Sequence, residues 1–301
     1  MAAKSKITGR HGMKGLQKGL TACLVVLIII CADVLPVSAE EEKPSLDVST
    51  AVMSSYVSKG LQITRNSVVI EPSMTVGIDG FSANIWGNLD THPYYPGDVK
   101  QNTSSNWTET DLVLSYSRTF GLLNTGIAYY YYGMAGPRNR DSSDLRDQQE
   151  FAFIAGLNTL LSPTLTVWWM FDVYSRLYYS FSISHAVELS KNVSMKLTTS
   201  AAYMQSLMNT TDSDSATLDK IANDGTDTHE KYNNLMDGNI NLGIPYKVTD
   251  HITVTPTISY SFPLCKDASN FIKYNSVKGW SDFDSADDQF IYGGVNFDYV
   301  F

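Results

Sequence analysis

From Ser45 onward the chain alternates apolar and polar side chains over segments of about ten to fourteen residues, with almost nothing of helical period. A period of two sends successive side chains to opposite faces of a strand, so the pattern commits the chain to sheet. The segments are 45–57, 67–78, 81–90, 108–119, 123–133, 147–159, 163–174, 177–190, 193–206, 235–247, 251–264 and 288–301, twelve in all. Their connections mostly alternate in length. Asp79-Gly80, Gly121-Leu122, Leu161-Ser162, Lys191-Asn192 and Thr249-Asp250 mark tight turns, whereas 58–66, 91–107, 134–146, 207–234 and 265–287 are long, polar and rich in Asp, Asn, Ser and Gly. The connection near Ser175-Arg176 is the exception, short where a long one is due.

Tight turns at one end and long loops at the other are the pattern of a bacterial outer-membrane barrel. The expected fold is therefore all-β, a transmembrane antiparallel up-and-down β-barrel of about 12 strands. Segment length agrees, since about ten residues at ~3.3 Å rise and ~40° tilt climb roughly 25 Å, the height of the apolar band of such barrels. A closed sheet also leaves no edge whose backbone groups would face lipid unpaired.

Ahead of this region lie Lys4, Lys6, Arg10, Lys14 and Lys18, then the apolar run Leu20–Ile30, then Val37-Ser38-Ala39. A basic stretch, a short apolar run and small residues read as a secretory signal peptide over 1–39, with the barrel occupying 40–301 and exported to the bacterial outer membrane. Cleavage after Ala39 removes five basic residues and Asp33 and changes the formal charge from -9 to about −13. So acidic a chain lacks the basic face that phosphate binding demands, which excludes nucleic acid as a partner. Cys23 and Cys31 leave with the signal, so Cys265 alone remains and an internal disulfide is excluded.

In the last segment Val295, Phe297, Tyr299 and Phe301 share one face, while Gly294, Asn296, Asp298 and Val300 share the other. A terminal Phe after alternating apolar residues resembles the assembly signature of outer-membrane proteins, which implies the barrel-assembly machinery as a partner. Near the start, Ser54-Ser55-Tyr56-Val57-Ser58-Lys59-Gly60-Leu61, then Pro72, Gly80-Phe81 and Asn84-Ile85-Trp86-Gly87, are similar to the opening of the TorF-type porins. That family has an S-D-Y-x-x-R-G opening, with Ser55 here in place of the Asp and Lys59 in place of the Arg. The resemblance implies a porin.

Parity assigns Leu112, Leu114, Tyr116, Ile127, Tyr129, Tyr131, Phe151, Phe153, Ile252, Val254, Ile258 and Tyr260 to lipid, with outer-membrane lipid and lipopolysaccharide as the surroundings. It places Glu71, Asp90, Glu109, Asp111, Glu150, Asp172 and Asp237 inside, all towards the extracellular mouth, and Asp47, Glu188, Asp298 and Lys196 towards the periplasmic end. A ring of carboxylates in a narrow passage attracts cations. The expected function is a diffusion pore for small solutes, favouring cations, through a backbone cylinder roughly 24 Å across.

Two other classes compete. A non-conducting barrel would display its loops for adhesion or partner binding. An outer-membrane lipase would need a His and a Ser close together on the outer wall; His185 has Ile183 and Val187 on its face, His251 has Thr253, and His92 and His229 fall in loops, so no catalytic residues are expected. No nucleotide, CxxC or HExxH motif occurs, and Asp212, Asp214, Asp219 and Asp224 match no calcium-loop spacing, so no metal or cofactor is expected.

Overall fold

A computed structural model describes residues 44–93, 106–135, 147–172, 175–207, 218–279 and 282–301. The expected signal peptide lies outside the described residues. Twelve strands form the wall: β1 Ser45–Met53, β2 Val69–Ile78, β3 Phe81–Asp90, β4 Trp107–Phe120, β5 Leu123–Met134, β6 Gln148–Leu157, β7 Thr164–Met170, β8 Arg176–Ser190, β9 Val193–Ser206, β10 Asn233–Gly243, β11 Ile252–Pro263 and β12 Phe290–Val300. Each pairs antiparallel with its neighbours in sequence, and β1 pairs with β12 from Asp47↔Val300 to Met53↔Gly294, so the sheet closes into a barrel.

The short turns use the chemistry that tight hairpins require. Asp79 and Gly80 both have positive φ, +49° and +79°, the conformation of a type I′ turn whose twist matches the flanking strands. At the opposite end the β7–β8 connection covers only 171–175, as the sequence suggested.

Three elements stand where the sequence pointed to plain loop or longer strand. β1 stops at Met53, and the chain folds into a small hairpin, Val57–Ser58 paired with Leu61–Gln62. Its turn residues Lys59 and Gly60 have φ of +48° and +79°, the same geometry as Asp79-Gly80. After β11, Lys266–Asn275 forms helix α1. The Cys265 thiol caps it by accepting from the Ala268 N–H, Asp267 sits in its first turn and Lys273 in its last, which suits the helix dipole. Its buried stripe Ala268, Phe271 and Ile272 joins the wall residues Tyr178, Met204, Met236 and Phe290 in one apolar cluster. A further hairpin, Asp219–Ile221 with Asp227–Lys231, stands in the β9–β10 connection.

Candidate functional site at the barrel mouth

The two faces of the wall differ as the alternation requires. Phe81, Ile85, Leu112, Leu114, Phe181, Leu197, Ile240, Ile258 and Phe297 are exposed on the outside. In-register neighbours keep to one face, as in Leu114↔Tyr129↔Phe151, and rings pack along it, with Tyr129 and Phe151 centroids 5.5 Å apart. So broad an apolar exterior on a closed sheet is lipid-facing, and the chain is a barrel of the outer-membrane type. Arg118, on the same face near a short turn, reaches Asp79 Oδ1 at 3.0 Å and donates to the Tyr116 hydroxyl, carrying its charge to the interface.

Inside, the half near the short turns is polar, with Asp47 and Asp298 half-buried among neutral side chains. Asn84 donates to Ser73 and Thr75 at 2.8 Å, Ser82 and Ser115 lie 2.7 Å apart, and Asn241 donates to Thr257 and Ser259 at 2.8 and 2.7 Å. These side chains are half-buried for the most part, as a wall facing water would be.

The other half is different. There Glu109, Asp111, Glu150 and Asp237 are buried, Glu150 completely, and Glu71 is half-buried. The 57–62 hairpin explains the burial. Its tip leaves the β1–β2 edge and meets the wall at β5–β8, where the Lys59 ammonium pairs with Glu150 Oε2 and lies 5.9, 5.5 and 5.8 Å from the ring centroids of Tyr132, Trp168 and Tyr178. Arg176 Nη2 holds Glu150 Oε1 at 3.4 Å, and Tyr132 Oη donates to Oε2 at 2.9 Å. Tyr178 Oη donates to Asp237 Oδ1 at 2.6 Å, while Gly60 packs so tightly on Asp237 that an added Cβ would sit 2.7 Å from the Asp237 Cβ. Burial pulls the Lys59 ammonium down to about 8, against the opposing pull of Glu150 beside it.

The rest of the hairpin is fastened too. Ser55 and Tyr56 bond Thr64 across its base, Tyr56 Oη donates to Glu109 Oε1 at 3.5 Å, and the Tyr56 and Trp86 rings lie 5.5 Å apart. Gln62 exchanges bonds with Ser276 and Val277 just past α1, at 3.1 and 3.0 Å. Hairpin and helix pack together at the mouth, with Val57 and Leu61 against the cluster that holds Phe271 and Ile272.

Two acidic residues stand apart from this arrangement. Asp90 is buried at a strand end, where it accepts from the Ser67 hydroxyl and the His92 N–H, so it fastens a loop. Asp172 lies past the end of β7 and is exposed. Parity also misses two bulges. A register shift between Asn88 and Leu89 opposite β4 puts Thr108 and Glu109 both inside, and one between Ala201 and Tyr203 opposite β10 leaves Leu235 and Ile240 both outside.

Of the histidines, His185 and His251 bond the Leu160 and Val300 carbonyls through Nδ1, at 2.9 and 2.7 Å. Asp219, Asp227 and His229 come together across the β9–β10 hairpin with ligand atoms within 4.8 Å of one another, a grouping the residue spacing did not reveal.

No known protein family matches the chain, and no curated protein does. Among solved structures, the NanC porin is similar at 10% identity over 85% of this chain and 98% of that one, TM-score 0.45. An outer membrane channel from Pseudomonas putida F1 is 11% identical over 90% and 98%, TM-score 0.43, and LpxR from Salmonella typhimurium is 9% identical over 85% and 99%, TM-score 0.42. Function has to be read from this chain's own geometry.

Proposed function

We propose that the chain is an outer-membrane diffusion channel for small solutes, with a wet polar vestibule on the periplasmic side and an extracellular mouth that the 57–62 hairpin occupies. The observation that carries this reading is the polar inner wall. A barrel with a dry core would gain nothing from Asn84, Asn241 and their Ser and Thr partners. Cation preference belongs to the proposal, because five carboxylates, Glu71, Glu109, Asp111, Glu150 and Asp237, stand in this half among the described residues, where Lys59 and Arg176 pair with Glu150. Passage requires the hairpin to leave its seat.

The hairpin seated in the mouth also favours a second reading, a silent barrel that displays its loops for adhesion or partner binding. Single-channel recording in a planar bilayer separates the two. Step conductance with a cation-directed reversal potential supports the channel; a folded barrel without current supports display. Replacing Glu109 and Asp111 by Gln and Asn must weaken the cation preference, and unchanged selectivity would remove the acidic mouth from the proposal. Insertion is assigned to the barrel-assembly machinery through the Val295, Phe297, Tyr299 and Phe301 face. Replacing Phe301 by Ser should lower the amount of barrel recovered from outer membranes while leaving refolding in detergent intact.

A further inference from the structure

The surroundings of Lys59 are those of a receptor for an ammonium ion. Three rings, Tyr132, Trp168 and Tyr178, present themselves at 5.5 to 5.9 Å from Nζ, the range in which a ring quadrupole attracts a cation. A fully buried carboxylate closes the box.

None of these groups depends on Lys59 for its orientation. The Tyr132 hydroxyl is fixed by Glu150, the Tyr178 hydroxyl by Asp237, and Trp168 packs edge-on against Tyr178 with centroids 5.7 Å apart. Glu150 itself is held by Arg176 through its other oxygen. The box is thus built from the wall strands β5–β8 with help from β10, while its occupant arrives on a separate hairpin tethered at the β1–β2 edge.

We propose that this box is a binding site for primary alkylammonium groups, with Lys59 as its tethered resident, and that a solute amine takes the same place when the hairpin withdraws. Arg176 occupies Oε1, so Glu150 offers one oxygen to a newcomer. A compact ammonium with three donors fits that single acceptor. A guanidinium, which binds best through two parallel bonds, fits it poorly. The same competition links occupancy to the mouth, since an amine in the box leaves the hairpin without its seat. The inference extends the channel reading, but its test reads binding and not current.

The test compares the wild-type barrel with Lys59→Ala in detergent, using n-propylammonium chloride against sodium chloride at equal ionic strength, and follows the temperature at which the compact gel band is lost. The expected result is a saturable rise in that temperature for K59A with n-propylammonium, none with sodium, a smaller rise with guanidinium, and none for a K59A/E150Q double variant. A folded K59A that responds alike to propylammonium and sodium overturns the proposal. Should K59A fail to fold alone, refolding in n-propylammonium must restore the compact band, and failure of the amine to do so overturns it equally. Current without an amine response would sink the box and leave the channel standing; an amine response in a barrel silent in bilayers would do the reverse.

Discussion

Lys59 and Glu150, 91 residues apart in the chain, form an ion pair that joins the turn of the inner hairpin to strand β6 on the far side of the mouth. Glu150 has no contact with solvent, so its charge is tolerable only because Lys59, Arg176 and the Tyr132 hydroxyl surround it. Removing one partner of a buried pair typically costs about 3–5 kcal/mol, because the other charge is left behind. Glu150→Ala should lower the temperature of gel-band loss and release the hairpin, giving larger or longer openings in bilayer recordings. A variant with unchanged current would mean that this pair does not hold the mouth.

Gly60 tests the seat without touching a charge. Its φ of +79° is disfavoured for a residue with a Cβ by about 1–2 kcal/mol, and the Cβ would also collide with Asp237. Gly80 has the same φ in a turn at the other end of the barrel, where a Cβ would meet the Ser117 carbonyl. Gly60→Ala and Gly80→Ala should both lose stability, yet only Gly60→Ala should raise conductance. Equal currents in the two variants would separate the hairpin from gating.

The wall was legible in the sequence because its signal repeats. Phe81–Asp90 and Val193–Ser206 form strands over the residues that the alternation marked, and Asp79-Gly80 announced its own turn. The hairpin and helix at the mouth were illegible for a physical reason. Of the residues that helix α1 buries, only Ala268, Phe271 and Ile272 are apolar, too short a stripe to stand out from Ser269, Asn270 and the other polar residues around it. The 57–62 hairpin has two-residue strands, shorter than any alternation can register, although Lys59-Gly60 has the turn chemistry of Asp79-Gly80. The acidic mouth was read as charge on a wall. Its counter-charges stayed hidden because Lys59 comes from a connection and Arg176 from the first residue of β8.

Acidity adds a pH dependence with a defined sign. Burial lowers the folded Lys59 to about 8, below its unfolded value, so between about pH 8 and the ordinary lysine range the folded barrel binds fewer protons than the unfolded chain. Stability attributable to this group therefore rises across that window, and below it the cost of burying the charge is fully present. Loss of one positive charge in the mouth should also raise cation preference as pH climbs through about 8. Both trends should be absent in Lys59→Met. A reversal potential that is flat across this range in the wild type would exclude Lys59 from the conducting path.

The division between outside and inside can be tested at two adjacent residues of β4. Leu114 is 48% exposed in mid-strand and lies between Ala83 and Tyr129 in the sheet, whereas Ser115 faces inward and bonds the Ser82 hydroxyl. An arginine on the lipid face near the bilayer midplane costs about 2–4 kcal/mol, while one facing the lumen can remain hydrated. Leu114→Arg should therefore impair folding into vesicles far more than into detergent micelles, whose surface can deform around the charge. Ser115→Arg should fold in both and shift selectivity away from cations. If Ser115→Arg were the variant excluded from vesicles, the two faces of this strand would have to be exchanged, and the polar ladder of Ser82, Asn84 and Asn241 could no longer line a path for solutes.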